Sequence, residues 1–252
     1  VRFAVLGSGS RGNATLVEQG ATRVLVDCGF TLRETERRLA RLNRSACQLS
    51  AILLTHEHSD HCNGAELLAR RYSIPVFMSD GTARGLRKPL APAGLLRSGR
   101  PLAIRDLSID VVSVAHDARE PTQFVFSDGR RRLGVLTDLG SPTPSVMEHY
   151  SDLDALIMEA NHDSDMLAYG PYPRFLKVRV GGSHGHMNNR QAATLVKDMG
   201  WKRLQHLVLA HLSEKNNLPH LARQAFTETL GCDPDWLQVA DQDSGLDWRE
   251  IA

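Results

Sequence analysis

Three histidines and an aspartate fall within six residues, His56-Glu57-His58-Ser59-Asp60-His61, in the spacing H-x-H-x-D-H. Imidazole and carboxylate are ligands for zinc, manganese and iron, and four of them this close make a chelating loop. In an extended segment residues i and i+2 project to the same side, so His56 and His58 can grip one ion. The chain must then bend, and Asp60 with His61 can face a second. The plain alternative is a polar surface turn that happens to be rich in histidine. The flanks favour the metal reading. Ala51-Ile52-Leu53-Leu54 predicts a short buried strand, and Gly64 followed by Ala65-Glu66-Leu67-Leu68-Ala69 predicts the start of a helix. The ligands therefore sit on a turn between a strand and a helix.

Other apolar runs end in the same way. Val112-Ser113-Val114-Ala115 releases His116, Gly134-Val135-Leu136-Thr137 releases Asp138, Leu156 to Ala160 releases Asn161-His162, and Leu207-Val208-Leu209-Ala210 releases His211. One histidine at a strand end is ordinary packing. Several ends of this kind point to one convergent site at the edge of a sheet, where loops meet. The ligand count then closes. His56, His58 and His116 can hold one ion, Asp60, His61 and His211 a second, and Asp138 can bridge them. Positions remain for water, as a catalytic site requires. Two ions roughly 3.5 Å apart would hold a bridging hydroxide and clamp both oxygens of a displacement.

The remaining elements must position these ends. A strand is expected over residues 2–6, then a hairpin of 14–18 and 22–26. Gly7-Ser8-Gly9-Ser10-Arg11-Gly12 matches G-x-G-x-x-G literally, but that fingerprint needs a helix next, and a strand is predicted instead. A loop able to offer backbone N–H groups to a phosphate survives as the weaker idea. Thr31 and Glu34 read as a capping box opening a helix over 32–42, with Leu32, Leu39 and Leu42 inward and Arg33, Arg37, Arg38, Arg41 and Arg44 on a solvated outer face. Strands and helices then alternate to a last short strand at Trp236–Ala240, with a tight turn at Asp128-Gly129. That alternation predicts α/β architecture in one domain over 1–252.

Bulk numbers agree. The 252 residues are 42% apolar and 23% charged with net charge +1, ordinary for a globular protein without a general basic field. No apolar run approaches the ~18 residues of a membrane span, and the N-terminal residues read as too short for a signal peptide. Cys28, Cys47, Cys62 and Cys232 form no C-x-x-C pair, which suggests a reduced, cytoplasmic protein.

The chain resembles the YycJ/WalJ (VicX) branch of the metallo-β-lactamase superfamily. The stretches that carry the resemblance are Gly9–Thr15, Leu25–Phe30, Thr55–His61, His116-Asp117-Ala118, Thr137–Gly140, Glu159–Asp163, Gly185-His186 and Leu209–Ser213. It implies a four-layer αβ/βα sandwich, two divalent ions (zinc or manganese) on the seven ligands above, and Asp27 propping the metal loop. The branch is related to ribonuclease Z-type phosphodiesterases and is described as a 5′-to-3′ DNA exonuclease with a suggested part in mismatch repair. The resemblance thus implies a nucleic acid substrate, DNA, with no membrane involved. It gives Asp60 a part in orienting the hydroxide and puts His186 where related nucleases keep a histidine for the transition state or the leaving oxygen. Here the motif reads Gly185-His186-Met187-Asn188-Asn189 instead of Gly-His-Leu-Ser-Asn, and His184 competes for the role. Ser10 and Asn13 of the glycine loop, with Asn161 and His162, are the candidate substrate contacts. Rival readings keep the metals but change the substrate to a thioester or lactone, or make the chain a metal-loaded regulator with little turnover.

Overall fold

The computed structural model describes residues 1–252. The first half of the chain supplies β1 (Arg2–Gly7), β2 (Ala14–Gln19), β3 (Thr22–Val26), α1 (Leu32–Arg41), β4 (Ala51–Leu53), α2 (Ser59–Cys62), α3 (Ala65–Tyr72), β5 (Val76–Met78), α4 (Asp80–Gly85) and β6 (Gly94–Leu95). The rest supplies β7 (Leu102–Ile104), β8 (Leu107–Ser113), β9 (Thr122–Ser127), β10 (Arg132–Leu136), α5 (Pro144–His149), β11 (Ala155–Glu159), α6 (Ser164–Tyr169), α7 (Arg174–Val180), α8 (Asn189–Met199), β12 (His206–Ala210), α9 (Pro219–Leu230), β13 (Leu237–Val239) and β14 (Leu246–Glu250).

The strands form two seven-stranded sheets, ordered β14-β1-β2-β3-β4-β5-β6 and β13-β12-β11-β10-β9-β8-β7. Each is antiparallel on one side and parallel on the other, from β3 to β6 and from β10 to β13. Side chains alternate between the two faces of each strand, as the period of two demands. Val24, Val26, Leu53, Phe124, Phe126, Leu133, Val135, Ile157 and Val208 meet in a core between the sheets. Their neighbours face outward under helices: Leu25, Ile52 and Leu54 with Leu39 of α1 and Leu68 of α3, and Leu136, Leu156, Met158 and Leu209 with Leu195 of α8 and Phe226 of α9. The result is helix, sheet, sheet, helix, the expected αβ/βα sandwich. No helix is long and apolar enough to cross a membrane.

Some local expectations need correction. β13 is not the last strand, because β14 follows and closes the first sheet against β1. The turn expected at Asp128-Gly129 does join β9 to β10, over residues 128–131, with Asp128 Oδ1 accepting from the N–H groups of Arg130 and Arg131. Arg38 is not on a solvated face. It is buried, its guanidinium lies 3.9 Å from the centroid of Phe30, and it donates to the carbonyls of Leu6 and Gln242. Two other arginines of that set are tied down as well, Arg44 to buried Glu18 and Arg41 to the carbonyl of Leu6. The glycine loop leads into β2, not a helix, which excludes the dinucleotide fingerprint.

Candidate metal centre

The parallel strands bring the site together. β4, β10, β11 and β12 end on one edge, and the chain releases His56, Asp138, Glu159 and His211 there; His116 arrives just after β8. His58 caps the one-turn helix α2, which presents Asp60 and His61. Three residues leave their strands with left-handed backbone: Asp27 at φ 61°, Asp138 at 56° and His211 at 53°. Asp and His tolerate this region better than most residues, but it still costs roughly 1–3 kcal/mol each. The strain turns each side chain into the site where a continuing strand would carry it past. The metal loop is clamped from below. The Asn13 N–H donates to the Asp60 carbonyl and the Cys28 N–H to the His61 carbonyl. A side chain at Gly29 would lie 1.7 Å from the Asp60 carbonyl oxygen, so only glycine allows this approach.

Each of five histidines has its Nδ1 anchored. His56 Nδ1 lies 2.9 Å from Thr55 Oγ1, His61 Nδ1 2.7 Å from Asp27 Oδ2, and His116 Nδ1 3.0 Å from the Gly185 carbonyl. His186 Nδ1 lies 2.7 Å and His211 Nδ1 3.2 Å from the same oxygen of Glu159. An N–H given to a carboxylate or carbonyl at Nδ1 leaves the Nε2 lone pair for a metal and fixes the ring that carries it. The free nitrogens converge. His56 Nε2, His116 Nε2 and Asp138 Oδ2 are buried with no hydrogen-bond partner, although His61 Nε2 is only 3.2 Å from Asp138 Oδ2. Asp60 Oδ2 lies 3.3 Å from His61 Nε2 and 3.5 Å from His211 Nε2. Unpaired buried acceptors cost about 1–3 kcal/mol each, and lone pairs aimed at one another repel. A cation among them relieves both.

Four overlapping sets have ligand atoms within 4.8 Å of one another: His56–His58–His116, Asp60–His61–His211, His56–His61–Asp138, and Asp138–Glu159–His186–His211. This donor set fits divalent metal binding. Glu159 is the residue the sequence reading passed over. Fully buried, it accepts from both imidazoles at Oε1 and from the backbone N–H groups of Leu139 and Met187 at Oε2. Its oxygens are occupied, so it orients histidines and ties the Asp138 and His186 loops together.

Electrostatics divide the histidines. Burial pushes the imidazoles of His56 and His116 below their ordinary value, leaving them neutral. Burial acts on His211 too, but Asp138, Asp60 and Glu159 outweigh it and raise the ring to about 10. His61, surrounded by Asp138, Asp60 and Asp27, is also held up against its burial. Burial opposes the charge on Asp60, yet His61 and His211 hold its carboxyl below the usual range. In metal-free protein protons on histidine balance the carboxylates, and a metal must displace them.

A cleft of about 240 Å³ opens over the centre, lined by Ser10, His58, Asp60, Asp138, Asn161 and His186 among others. Tyr172, Leu176, Arg179 and Val180 form its wall on the side of α7. Ser10 and Asn161 therefore reach the cleft. Asn13 does not line it: its buried amide bonds Ser8, Gly9 and Asp60 and stitches the glycine loop to the metal loop. His162 is buried behind Asn161, and His184 is exposed, outside the cleft that His186 lines.

The family described as Beta-lactamase superfamily domain matches residues 22–212. The protein named exodeoxyribonuclease YycJ in Bacillus anthracis is 33% identical over 91% of this chain and 89% of its own length. The one named exodeoxyribonuclease WalJ in Streptococcus pneumoniae is 30% identical over 98% of this chain and 92% of its own. The crystal structure of the metallo-beta-lactamase fold protein YhfI from Bacillus subtilis aligns over 99% of both chains with a TM-score of 0.76 at 20% identity, a likeness of fold. Fold, donor set and these relatives agree: the chain belongs to the metallo-β-lactamase superfamily, in its YycJ/WalJ branch, and is a metal-dependent hydrolase.

Proposed function

We propose that this protein is a dinuclear metal-dependent phosphodiesterase that shortens DNA from a 5′ end. One observation carries the reading: the triads His56–His58–His116 and Asp60–His61–His211 are joined by Asp138, whose two oxygens face His116 and His61. Similarity to two proteins named exodeoxyribonucleases supports the choice of substrate. Zinc and manganese both suit the donors. When bound, the ions supply a water of lowered pKa and positive charge for the phosphoryl oxygens.

The chain's own residues do the rest. Asp60, which lines the cleft, accepts a hydrogen bond from the attacking water and turns it towards phosphorus. Glu159 and Asp138 favour the protonated form of His186 against its burial, and its Nε2, free of the Glu159 anchor, is the atom that would deliver the proton to the departing 3′ oxygen. Ser10, Asn161 and Arg179 hold the phosphate chain; Arg179 is itself steadied by Asp117. Asn13 and His162 act behind the cleft, the first by setting the glycine loop and the second by backing Asn161. A lining this polar fits a phosphodiester better than the acyl group of a thioester or lactone.

The test is a 5′-phosphorylated duplex labelled at its 3′ end, incubated with manganese or zinc beside His61→Ala. Stepwise shortening from the 5′ end, lost in the variant, is expected. Absence of cleavage by protein holding two ions overturns the proposal, and salt-dependent DNA binding without cleavage points to the regulator.

A further inference from the structure

Beside the cleft the chain exposes an apolar face that neither the metal centre nor the core uses. Tyr169 at the end of α6 is 88% exposed, Phe175 is 75% and Val178 is 68%. No residue of α7 is buried. Three large apolar side chains this exposed within ten residues of chain mark a surface for a partner. The helical spacing is informative. Leu176, Arg179 and Val180, at i, i+3 and i+4, face the cleft. Phe175 and Val178 each lie one residue earlier, about 100° round the helix. The aromatic face therefore continues the cleft wall within one helix diameter, about 10 Å. Cations accompany it. Residues 164–185 contain Arg174, Lys177 and Arg179 against one acid, Asp165, and Arg179 is paired with Asp117 of the loop after β8, so Arg174 and Lys177 carry the excess positive charge. Lys177 Nζ donates to the Ala168 carbonyl at 2.7 Å and ties α7 to α6. The Val180 carbonyl accepts from the His186 N–H at 2.7 Å, so α7 runs directly into the loop of the proposed proton donor.

We propose that the face of α6–α7 carrying Tyr169 and Phe175 is a stacking platform for unpaired bases of a single-stranded DNA end whose scissile phosphate lies in the cleft. The proposal rests on the nuclease reading above. Aromatic faces accept any base, and adjacent cations follow the phosphates, which is how sequence-tolerant single-strand binding is built. Positive charge and continuity with the cleft favour a nucleic acid strand over a second copy of the chain.

The experiment compares manganese-loaded wild type, the double variant Tyr169→Ala/Phe175→Ala and Phe175→Trp on two substrates. One is a single-stranded oligonucleotide with 2-aminopurine near its 5′ end. The other is bis(p-nitrophenyl) phosphate, too small to reach the platform. The double variant should raise KM for the oligonucleotide about tenfold, lose the quenching of 2-aminopurine on binding, and release p-nitrophenol at the wild-type rate. Phe175→Trp should keep both KM and quenching. Unchanged KM and quenching in the double variant overturn the platform. So does a wild-type dimer that the double substitution converts to monomer with KM unchanged, which assigns the face to a second copy. A wild type that releases p-nitrophenol but shortens no oligonucleotide overturns the nuclease reading itself, whereas oligonucleotide cleavage indifferent to the substitutions removes the platform alone.

Discussion

Glu159→Gln is the substitution whose effects the geometry specifies most fully. The carboxylate accepts from His186 Nδ1 at 2.7 Å, His211 Nδ1 at 3.2 Å, and the N–H groups of Leu139 at 3.2 Å and Met187 at 3.1 Å. A glutamine has the same shape but only one accepting oxygen. With that oxygen on the imidazoles, its NH₂ group opposes the Leu139 and Met187 N–H groups; turned round, it opposes the two rings. Two buried donors are stranded in the first case and three in the second, since the Asp138 N–H also reaches Oε1 at 3.3 Å, at about 1–3 kcal/mol each, so roughly 3 kcal/mol of folding stability is lost. The lost charge also stops holding His211 in the tautomer that exposes Nε2 and no longer favours the proton on His186. Metal affinity should fall about 10–100-fold and kcat about a hundredfold or more. Glu159 holds its charge well, because the same contacts keep its carboxyl at about 2 despite burial. The assay is thermal unfolding of metal-free protein, metal titration by calorimetry, and turnover at saturating metal. A Glu159→Gln protein with wild-type affinity and kcat would refute the orienting role, whatever its stability.

Other outcomes follow from the same contacts. His61→Ala removes a ligand of the second triad and should leave one ion per chain by plasma mass spectrometry, with most activity gone. His186→Ala should keep both ions while kcat falls about 10²–10⁴-fold, read in steady-state kinetics. Metal binding should release protons, since His211, raised to about 10, and His61, also raised, must free Nε2; apparent affinity therefore climbs as pH rises from 6 to 9, and calorimetry in buffers of different ionisation enthalpy reads the release. Burial disfavours the charge of Glu18, but Arg44 and Arg2 still hold its carboxyl below the ordinary value. A carboxyl depressed on folding stabilises above its unfolded value of ~4.3 and loses that contribution as pH falls through the folded value. Glu18→Gln should thus cost about 2–3 kcal/mol at pH 7, with the gap from wild type closing in melts below about pH 4.

His56, His116, Asp138 and His211 were legible as candidate ligands because each follows an apolar strand, and a histidine or aspartate stands out at the end of Leu207–Ala210 or Gly134–Thr137; His58, Asp60 and His61 were legible from their spacing in the loop after β4. Glu159 followed the same logic one residue early. It is the lone carboxylate of β11, a strand buried at every position, and that was the available signal. Helical periodicity placed Arg38 outside because its partners, Phe30 and the Gln242 carbonyl, are brought to it only by the tertiary fold. The strand β14 escaped notice because Asp247, Arg249 and Glu250 give an edge strand little apolar pattern; Trp248 packs instead beneath the guanidinium of Arg2 at 4.4 Å. The substrate-side candidates separated only in three dimensions, since Ser10 and Asn161 face the cleft while Asn13 and His162 lie behind it.

The central claim is a two-ion centre bridged by Asp138. Anomalous diffraction at the manganese or zinc edge, from crystals grown at saturating metal, tests it most directly. Two peaks are expected, one among His56, His58 and His116 and the other among Asp60, His61 and His211, with Asp138 between them. A single peak, or ions elsewhere with these histidines unligated, would contradict it.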